Sequence, residues 1–557
     1  MLRTTLVCAL LLFTTAPASA QPKAQTITSK GGVVACVSPP AADVGLAVLK
    51  RGGNAVDAAV AVGFAMAVTW PEAGNIGGGG FMMVAPPGKA PTCFEYRETA
   101  PAAAKVDLFA DGKVTSLNHK AAGVPGTVRG LALAHSKYGK LPWKDVVTPA
   151  VELAEKGFTV NAALAGGLNR VLADPKTTNA EFKRVYGKPD GTKWKDGDTL
   201  VLTDLGLTLR LVAEKGADAF YTGAPAELLE KEMKDGGGLI TRADLAAYKA
   251  NERTPIHTTF RGFDVYGPPP PSSGGVALTE MLNVLENFDL KKHGRWSPEA
   301  NHLMIETMKR AYADRARYLG DPGFTKIPDH LTTKEYAKKL AAGIDLKKTT
   351  PSAELAPEIA IDKESDSTTH FSVIDRDGLA VSNTYTLENS YGNRVVVRGA
   401  GYILNNEMTD FNPRPGFTGS NGMIGTRPNQ IAPGKRMLSS MTPVIVRKDG
   451  KAALVTGSPG GRTIINTVLC VVLNVTEFEM SVGDAVSAPR THHQWFPDAV
   501  RFEGVKQHPE LVKELKALGH TITEARQGDA HSIRIDPKTG ERTGAADKRL
   551  DGKAVGE

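Results

Sequence analysis

The chain has 557 residues, of which 41% are hydrophobic, 6% are aromatic and 23% are charged. This balance is typical of a packed globular protein and excludes a disordered chain, a collagen or a simple solenoid. The 67 basic residues exceed the 60 acidic ones by only 7 and form no basic run, so the charge gives no indication of a nucleic-acid partner. The length allows roughly three or four domains, but no Pro/Ser linker, low-complexity tract or repeat divides the chain, so one large interwoven unit is at least an equal alternative.

Residues 1–20 have the pattern of a signal peptide. Arg3 precedes an apolar stretch at residues 6–13, and Ala18-Ser19-Ala20 is a small-x-small cleavage site. We therefore expect export to the periplasm or out of the cell, with Gln21 as the first mature residue. The apolar stretch is too short to span a bilayer, and no other run approaches the ~20 residues that a membrane helix needs. The sequence predicts no membrane anchor.

Four helices, at three places in the sequence, are predicted in the first two-thirds of the chain. Apolar residues between positions 56 and 67 repeat with the helical period, and Gly52-Gly53 ends an earlier helix. A second segment covers residues 142–157, and a third covers about 299–319 and stops before Gly320. This part of the chain therefore mixes helices with short strands.

The strand-rich part begins at Phe371. Alternating side chains flank Asp377-Gly378 and again Asp449-Gly450, which predicts two hairpins with two-residue turns. The sequence as a whole predicts α/β layers.

Turn position fixes which residues face each other, provided that the hairpins contain no bulge. The first hairpin would place Thr369 opposite Thr386 and Thr368 opposite Leu387. The second would place a serine pair opposite a glycine-containing pair: Ser439 with Gly460, and Ser440 with Pro459.

We expect no metal and no cofactor. The glycine run at residues 77–80 lacks the spacing of a nucleotide-binding loop, and residues 456–461 lack the G-x-S-x-G pattern of a serine elbow. His492 and His493 are adjacent and point apart, unlike zinc ligands on a helix. After removal of the leader, the odd set of Cys36, Cys93 and Cys470 indicates neither a zinc site nor a disulfide framework, and allows at most one bridge.

The stretch Asp366-Ser367-Thr368-Thr369-His370 runs directly into the first hairpin. Hydroxyl-rich stretches usually form turns or caps. This one resembles the start of the catalytic chain in N-terminal-nucleophile hydrolases, in which a residue freed by self-cleavage uses its own α-amine as the base.

The whole mature chain resembles the γ-glutamyltranspeptidases. The resemblance rests on NIGGGGF at 75–81, YRETAP at 96–101, GVPG at 123–126, FYTG at 220–223, PPPSSGG at 269–275, DR at 314–315, STTHFSV at 367–373, TYTL at 384–387, LNNEM at 404–408, TGSPGG at 456–461 and APR at 488–490. It implies an αββα sandwich that forms one interwoven domain, made of two chains after self-cleavage.

The resemblance also implies a maturation step and a reaction. Cleavage of the Ser367–Thr368 bond would give a large subunit of residues 21–367 and a small catalytic subunit of residues 368–557, which stay together as a heterodimer. Thr368 would then attack the γ-amide of glutathione or another γ-glutamyl compound. Water, an amino acid or a dipeptide acceptor would remove the γ-glutamyl group from the resulting ester.

Individual roles follow from the matching motifs. Thr386 matches the residue that hydrogen-bonds the nucleophile, and the backbone N–H groups of Gly460 and Gly461 match the oxyanion hole. The remaining matches bind the donor: Arg97, Ser439 and Ser440 hold its α-carboxylate, and Glu407 and Asp410 face its α-ammonium.

Two positions depart from the common family pattern. Glu388 stands where many members have Asn, so three carboxylates would surround one ammonium, and we expect at least one raised pKa among them. Residues 413–435 have the length of the family's pocket lid but no central aromatic residue, which predicts looser access for acceptors.

Two other functions stay open at this level. One is a γ-glutamyl or glutaryl hydrolase, such as a cephalosporin acylase-like enzyme, with little transferase activity. The other is an exported binding protein that kept the fold without catalysis; the joint presence of Thr368, Thr386, Arg97 and the glycine pair argues against it.

Overall fold

The computed structural model describes residues 23–359, 368–411 and 426–557. The predicted signal peptide, Ser367 and residues 413–425 of the predicted lid lie outside these ranges. The strands are β1 (Gln25–Ser29), β2 (Val33–Cys36), β3 (Gly79–Ala85), β4 (Thr92–Glu95), β5 (Phe158–Thr159), β6 (Thr199–Leu200), β7 (Asn251–Arg253), β8 (Ile256–Phe260), β9 (Phe263–Gly267), β10 (Thr369–Ile374), β11 (Ala380–Thr386), β12 (Val444–Lys448), β13 (Lys451–Thr456), β14 (Thr491–His492), β15 (Val500–Phe502), β16 (Ile522–Glu524), β17 (His531–Ile535), β18 (Arg542–Ala546) and β19 (Lys553–Gly556).

The α-helices are α1 (Pro39–Lys50), α2 (Ala55–Thr69), α3 (Thr127–Tyr138), α4 (Trp143–Lys156), α5 (Ala162–Ala173), α6 (Ala180–Tyr186), α7 (Thr203–Lys215), α8 (Asp218–Thr222), α9 (Ala224–Gly236), α10 (Arg242–Ala247), α11 (Gly274–Leu285), α12 (Leu290–His293), α13 (Pro298–Tyr318), α14 (Lys334–Ala342), α15 (Ser352–Leu355), α16 (Ile464–Thr476), α17 (Val482–Ser487) and α18 (Pro509–Ala517). Short 3₁₀ segments occur at His119–Ala121, Asp329–Thr332, Glu407–Asp410, Arg427–Asn429 and Gly461–Thr463.

Two seven-stranded antiparallel sheets form the centre of the molecule. The first has the order β1-β18-β17-β13-β12-β9-β8, and the second has the order β19-β2-β10-β11-β3-β4-β7. Strands β10 and β11 of the second sheet pack against β17 and β13 of the first. Each sheet combines strands from both ends of the chain, so the prediction of one interwoven unit is confirmed.

Helices cover the outer face of each sheet. Helix α2 packs on β10 and β11, while α11 and α16 pack on strands of the first sheet. The resulting order of helix, sheet, sheet, helix is the layered αββα architecture that the sequence resemblance implied.

Strand β2 shows why the central strands are apolar on both faces. Val33 and Ala35 belong to the core that contains the first sheet, whereas Val34 and Cys36 belong to the core that contains α1 and α2. Because successive side chains of a strand point to opposite faces, a strand between two covered layers reads as a continuous apolar run.

The predicted helices are confirmed, with boundaries that have local causes. Helix α1 ends at Lys50, and Gly52 follows with a φ of 90°. Asn54 caps α2 by accepting the N–H groups of Val56 and Asp57, while the Asp57 carboxylate accepts the N–H of Asn54. Helices α4 and α13 match the other two predicted segments.

The described part of the chain contains three cysteines, none of which forms a disulfide. Cys36, Cys93 and Cys470 are buried and free. Within the three described ranges, none of the helices is both long enough and apolar enough to cross a bilayer.

The predicted register of the first hairpin is wrong by one residue. Thr369 faces Tyr385, because the turn is longer than two residues: the backbone N–H of Asp375 donates to Leu379 over 3.1 Å and closes a three-residue loop. The Asp375 carboxylate holds this loop by accepting the N–H groups of Asp377 and Leu379 at 3.0 Å each. Continued by one residue, the observed register brings Thr368 level with Thr386.

The second hairpin contains a bulge, which also overturns its predicted pairs. Lys448 faces Lys451 as expected, but the register shifts between Val446 and Arg447, and the ladder ends at Val444 and Thr456. Ser439 therefore does not pair with Gly460 in a ladder, nor does Ser440 pair with Pro459. Ser439 instead forms a parallel bridge with Ser272.

Candidate active site

Two cavities meet at Thr368, and they contain most of the predicted site. The small cavity is lined by the predicted residues Arg97, Thr368, Thr386, Glu388, Asp410, Ser439, Ser440 and Gly461, together with Arg315, Met441, Arg462 and Ile464. The large cavity, of about 440 Å³, shares Thr368 and includes Gly460. Glu407 completes the set through its ion pair with Arg97.

Thr368 and Thr386 stand at adjoining strand ends, before β10 and at the end of β11. The hydroxyl oxygen of Thr386 accepts the backbone N–H of Glu388 over 2.8 Å, so its own proton is directed to another acceptor. Glu388 has a φ of 75°, a left-handed conformation that a non-glycine residue adopts at a cost of about 1 kcal/mol. This strained residue fixes the orientation of the Thr386 hydroxyl.

The loop between β13 and α16 requires glycine at position 460 and favours it at position 461, the two predicted oxyanion positions. Gly460 has a φ of 125°, and a Cβ there would lie 2.5 Å from the hydroxyl oxygen of Thr463. Gly461 has a φ of 53° and starts the 3₁₀ turn that leads into α16. The pair therefore lies where backbone N–H groups and the positive end of a helix dipole favour negative charge.

Arg97 is buried and fixed by backbone acceptors. It is 1% exposed, its Nε donates to the carbonyl oxygen of Met437 over 3.3 Å, and its Nη2 donates to that of Leu438 over 3.2 Å. These contacts place the guanidinium beside the segment that continues into Ser439 and Ser440.

Acidic groups surround Arg97 on its other side. Its guanidinium forms ion pairs with Glu407 and Asp410. Carboxylate oxygens of Glu388, Glu407 and Asp410 lie within 4.8 Å of one another. Burial raises the pKa of Glu407, and the charges of Glu98, Glu388 and Asp410 raise it further against the opposing effect of Arg97. One pKa in this cluster is therefore raised, with burial as its largest cause and the neighbouring carboxylates as smaller ones.

Glu98 is a charged neighbour that sequence reasoning did not single out. It is fully buried, its Oε2 lies 3.5 Å from Arg97 Nη1, and its Oε1 has no hydrogen-bond partner. Burial raises the pKa of Glu98 to about 7, against the lowering effect of Arg97. Its place directly after Arg97 in the YRETAP motif was the available signal.

Arg315 is the second residue that was missed, although the DR motif contains it. Its Nη2 donates to the hydroxyl oxygen of Ser440 over 2.9 Å, and its Nε donates to that of Ser273 over 2.8 Å. Ser273 in turn donates to the carbonyl oxygen of Ser439 over 2.6 Å. Arg315 thus ties α13 to the serine pair.

The singled-out histidines have structural contacts. His370 bonds to the hydroxyls of Thr384 and Ser372 at 2.8 Å and 3.1 Å, and burial lowers its pKa, so it is neutral. His492 bonds to Asn466 at 2.7 Å, whereas His493 bonds to Asp498 at 3.2 Å. Among the described residues that line the two cavities, no histidine is present to act as a base.

Two clusters in the described part of the chain have the ligand types of a metal site. One is the Glu388, Glu407 and Asp410 group, which faces Arg97. The other contains His302, Glu306 and His520.

The second cluster does not fit a metal. His302 Nδ1 lies 2.8 Å from His520 Nε2, and its Nε2 lies 2.8 Å from the carbonyl oxygen of Asp345. Glu306 accepts a hydroxyl of Thr349 at 2.7 Å and pairs with Arg310 at 2.7 Å. These hydrogen bonds occupy the ligand atoms, and a neighbouring cation opposes a metal ion.

Comparison with known proteins agrees with this geometry. The model of the gamma-glutamyltranspeptidase family matches residues 41–557. The chain is 48% identical to the glutathione hydrolase proenzyme of Escherichia coli (strain K12) over 531 residues, or 94% of this chain and 91% of the relative.

Solved structures extend the match to three dimensions. A cephalosporin acylase from Bacillus halodurans has a TM-score of 0.85 at 26% identity, covering 98% of this chain and 99% of that one. The gamma-glutamyltranspeptidase of Helicobacter pylori has a TM-score of 0.55 at 40% identity, covering 57% of this chain and 93% of that one. The chain therefore belongs to the gamma-glutamyltranspeptidase family within the N-terminal-nucleophile hydrolases, and it is an enzyme of γ-glutamyl hydrolysis and transfer.

Proposed function

We propose that this protein is exported, cleaves itself before Thr368, and then transfers and hydrolyses the γ-glutamyl group of glutathione and related compounds through a γ-glutamyl-threonine ester. The observation that carries the proposal is the meeting of Thr368, Thr386 and Arg97 in one small cavity. The products of cleavage are residues 21–367 and 368–557, which remain one heterodimer because both contribute strands to each sheet.

Maturation uses the same hydroxyl as catalysis. The Thr368 oxygen attacks the carbonyl carbon of Ser367, the C–N bond breaks, and an ester forms between the two residues. Water hydrolyses this ester, leaving a carboxylate on Ser367 and a free α-amine on Thr368. With a pKa of about 8, this amine can accept the hydroxyl proton at neutral pH.

The catalytic cycle then has two steps. Thr368 Oγ attacks the γ-carbonyl carbon of the donor, and the N–H groups of Gly460 and Gly461 stabilise the oxyanion. Collapse breaks the γ-amide bond, and the amine of the leaving peptide takes up a proton. Water or an acceptor amine then attacks the ester, which releases glutamate or a new γ-glutamyl amide and regenerates the Thr368 hydroxyl.

The charges of the small cavity suit an α-amino-acid head group. Arg97, Ser439 and Ser440 provide donors for the α-carboxylate, while Glu388, Glu407 and Asp410 provide negative charge for the α-ammonium. Arg97 forms ion pairs with two of these acids, Glu407 and Asp410. A zwitterion can take the place of these contacts without adding net charge to a buried site.

This charge pattern favours γ-glutamyl over glutaryl donors. A glutaryl group, the donor of the acylase alternative, has no ammonium, so it would bring a second carboxylate to Arg97 and no cation to the three acidic side chains. A non-catalytic binding protein would need neither the strained Glu388 beside Thr386 nor glycines at 460 and 461.

Product analysis tests the proposal. Purified protein is supplied with glutathione, with and without a dipeptide acceptor, and glutamate and the new γ-glutamyl peptide are quantified. We expect glutamate alone without acceptor and both products with it. Release of glutaric acid from glutaryl amides at a higher kcat/KM than glutamate from matched γ-glutamyl amides would contradict the proposal in favour of the acylase alternative.

A further inference from the structure

The large cavity begins where the small cavity ends. Both are lined by Thr368, and the large cavity also contacts Gly460 of the proposed oxyanion loop. A donor whose γ-carbonyl lies at Thr368 has its amino-acid head group in the small cavity. The part of the donor beyond the scissile amide must therefore extend into the large cavity.

Among the described residues that line the large cavity, the ionisable side chains are two arginines and one glutamate. Arg501 lies in the middle of β15 and Arg526 follows β16. Glu72 follows α2, far from the arginines in the sequence. The Glu72 carboxylate already accepts the hydroxyl of Ser390 over 2.9 Å. The described lining thus has one more positive than negative group, which favours an anionic ligand end.

The backbone near both arginines is held in place by a buried neighbour. Gln527 is 4% exposed, and its backbone N–H donates to Glu503 Oε1 over 2.7 Å. Its side-chain amide donates to the carbonyl oxygen of Arg501 over 3.5 Å. Arg501 and Arg526 are therefore linked through one anchored residue at the cavity wall.

We propose that the large cavity binds the peptide portion of the substrate, a short peptide ending in a carboxylate, and that Arg501 and Arg526 bind this carboxylate. The inference rests on the proposed function and specifies its leaving group and its preferred acceptor. Two extended residues reach about 7 Å from the scissile carbonyl, and cavities of about 300–1,000 Å³ are typical for ligands of this size. Guanidinium groups are well suited to carboxylates.

The test compares two donors that differ only at the far end. Glutathione has the terminal carboxylate, and glutathione ethyl ester, blocked at the glycine, does not. For each enzyme form the measured quantity is the ratio of kcat/KM for glutathione to kcat/KM for the ester. In the unaltered protein we expect this ratio to be about 10, as one partly exposed charge-assisted contact gives.

Substitutions locate the contact. Arg501→Met and Arg526→Met should each lower the ratio about 3-fold, and the double variant should bring it near one, with kcat/KM for the ester unchanged within 2-fold. Arg526→Glu, at an exposed position that tolerates substitution, should lower the ratio below that of Arg526→Met. Lys513→Met, an exposed cation on α18, is the matched control and should leave the ratio unchanged.

The outcomes separate this inference from the proposed function. The inference is wrong if the protein releases glutamate from both donors with a ratio near one. It is also wrong if the arginine variants lower kcat/KM for both donors equally, because the large cavity then does not bind the carboxylate. If the protein releases glutamate from neither donor, the proposed function itself is wrong.

Discussion

The guanidinium of Arg315 donates to the hydroxyl oxygen of Ser440 over 2.9 Å at the wall of the small cavity. Arginine has no acceptor, so Ser440 must accept in this bond, and its own proton is directed to a different acceptor. In the proposed complex that acceptor is the donor's α-carboxylate. Arg315 is therefore a positioning residue that acts through Ser440 and adds a second positive charge to the carboxylate subsite.

Replacing Arg315 should weaken donor binding more than turnover. Arg315→Lys loses the fork that contacts Ser273 and Ser440 together, so KM for glutathione should rise about 10-fold, with kcat within about 3-fold. In Arg315→Met, the further change Ser440→Ala should add little, because the two residues act as one unit.

Arg317, two residues along α13, provides the control. Its guanidinium pairs with Asp314 and Glu358. Arg317→Lys should leave KM unchanged. Equal effects of the two lysine variants, or full additivity of Arg315→Met with Ser440→Ala, would show that Arg315 has only a structural role.

The maturation step predicts a simple gel result. The protein should separate into two chains under denaturing conditions, with Thr368 as the N-terminus of the smaller one, because the acyl shift needs a hydroxyl at this position. Thr368→Ala should remain one chain, and Thr368→Ser should still divide. Cleavage of the alanine variant at the same bond would contradict self-cleavage by Thr368.

The sequence predicted some of this site well because the responsible constraints are local. The glycines at 460 and 461 allow the positive φ angles that the loop adopts, and caps and periodicity mark the helix boundaries. The register of the first hairpin could not be predicted from the sequence in the same way. The Asp375 carboxylate stabilises a three-residue turn, and this shifts every pair along the first hairpin by one residue.

Glu98 shows a second limit of sequence reasoning. Its neighbour Arg97 could be assigned from a motif, but the burial of Glu98 depends on distant segments. A Cβ on Gly79 would lie 2.8 Å from the Glu98 carboxylate, and one on Gly123 would lie 2.9 Å from its Cβ. The packing of these loops around Glu98 buries it and raises its pKa. The periodicity of the sequence does not indicate this burial.

Arg97→Lys tests the primary contact to the α-carboxylate. Lysine keeps the positive charge. It has a single ammonium group, so it cannot donate to the carbonyl oxygens of Met437 and Leu438 and at the same time offer two parallel N–H groups to a ligand. KM for glutathione should rise by at least 10-fold, whereas the variant should still divide into two chains. An unchanged KM, measured by initial rates of glutamate release, would remove Arg97 from the donor site.

Glu98 predicts a pH dependence of stability. Because its folded pKa is raised from 4.5 to about 7, the native state keeps a proton that the unfolded chain has lost, so stability falls as pH rises from about 4.5 to about 7. Glu98→Gln removes this effect. Its Tm relative to the unaltered protein should therefore rise between pH 5 and pH 8, by about 2–5 °C.

The exposed Glu152 on α4 is the control for this experiment, since Glu152→Gln should show no such trend. A Tm difference for Glu98→Gln that is constant with pH, or that falls as pH rises, would mean that Glu98 is ionised throughout this range.

Substitution of Glu388 should alter the preference of the enzyme between γ-glutamyl and glutaryl donors. Its carboxylate lies with those of Glu407 and Asp410, whereas its backbone N–H, which a side-chain substitution leaves in place, holds Thr386. Glu388→Gln therefore removes one of three clustered charges without disturbing the residue beside the nucleophile.

If Glu388 faces the donor's ammonium, donors with a free α-amine should lose binding in Glu388→Gln, and glutaryl amides should gain relative to them. We expect the ratio of kcat/KM for γ-glutamyl to that for glutaryl donors, measured on matched leaving groups, to fall about 10-fold. Glu388→Asn should shift the ratio in the same direction, and it should suit the left-handed backbone better, because Asn adopts positive φ more readily. Glu479→Gln, at an exposed residue with a φ of 53°, controls for backbone strain alone. A general loss of stability would lower both activities and leave the ratio unchanged, so an unchanged ratio would place the Glu388 carboxylate away from the ammonium.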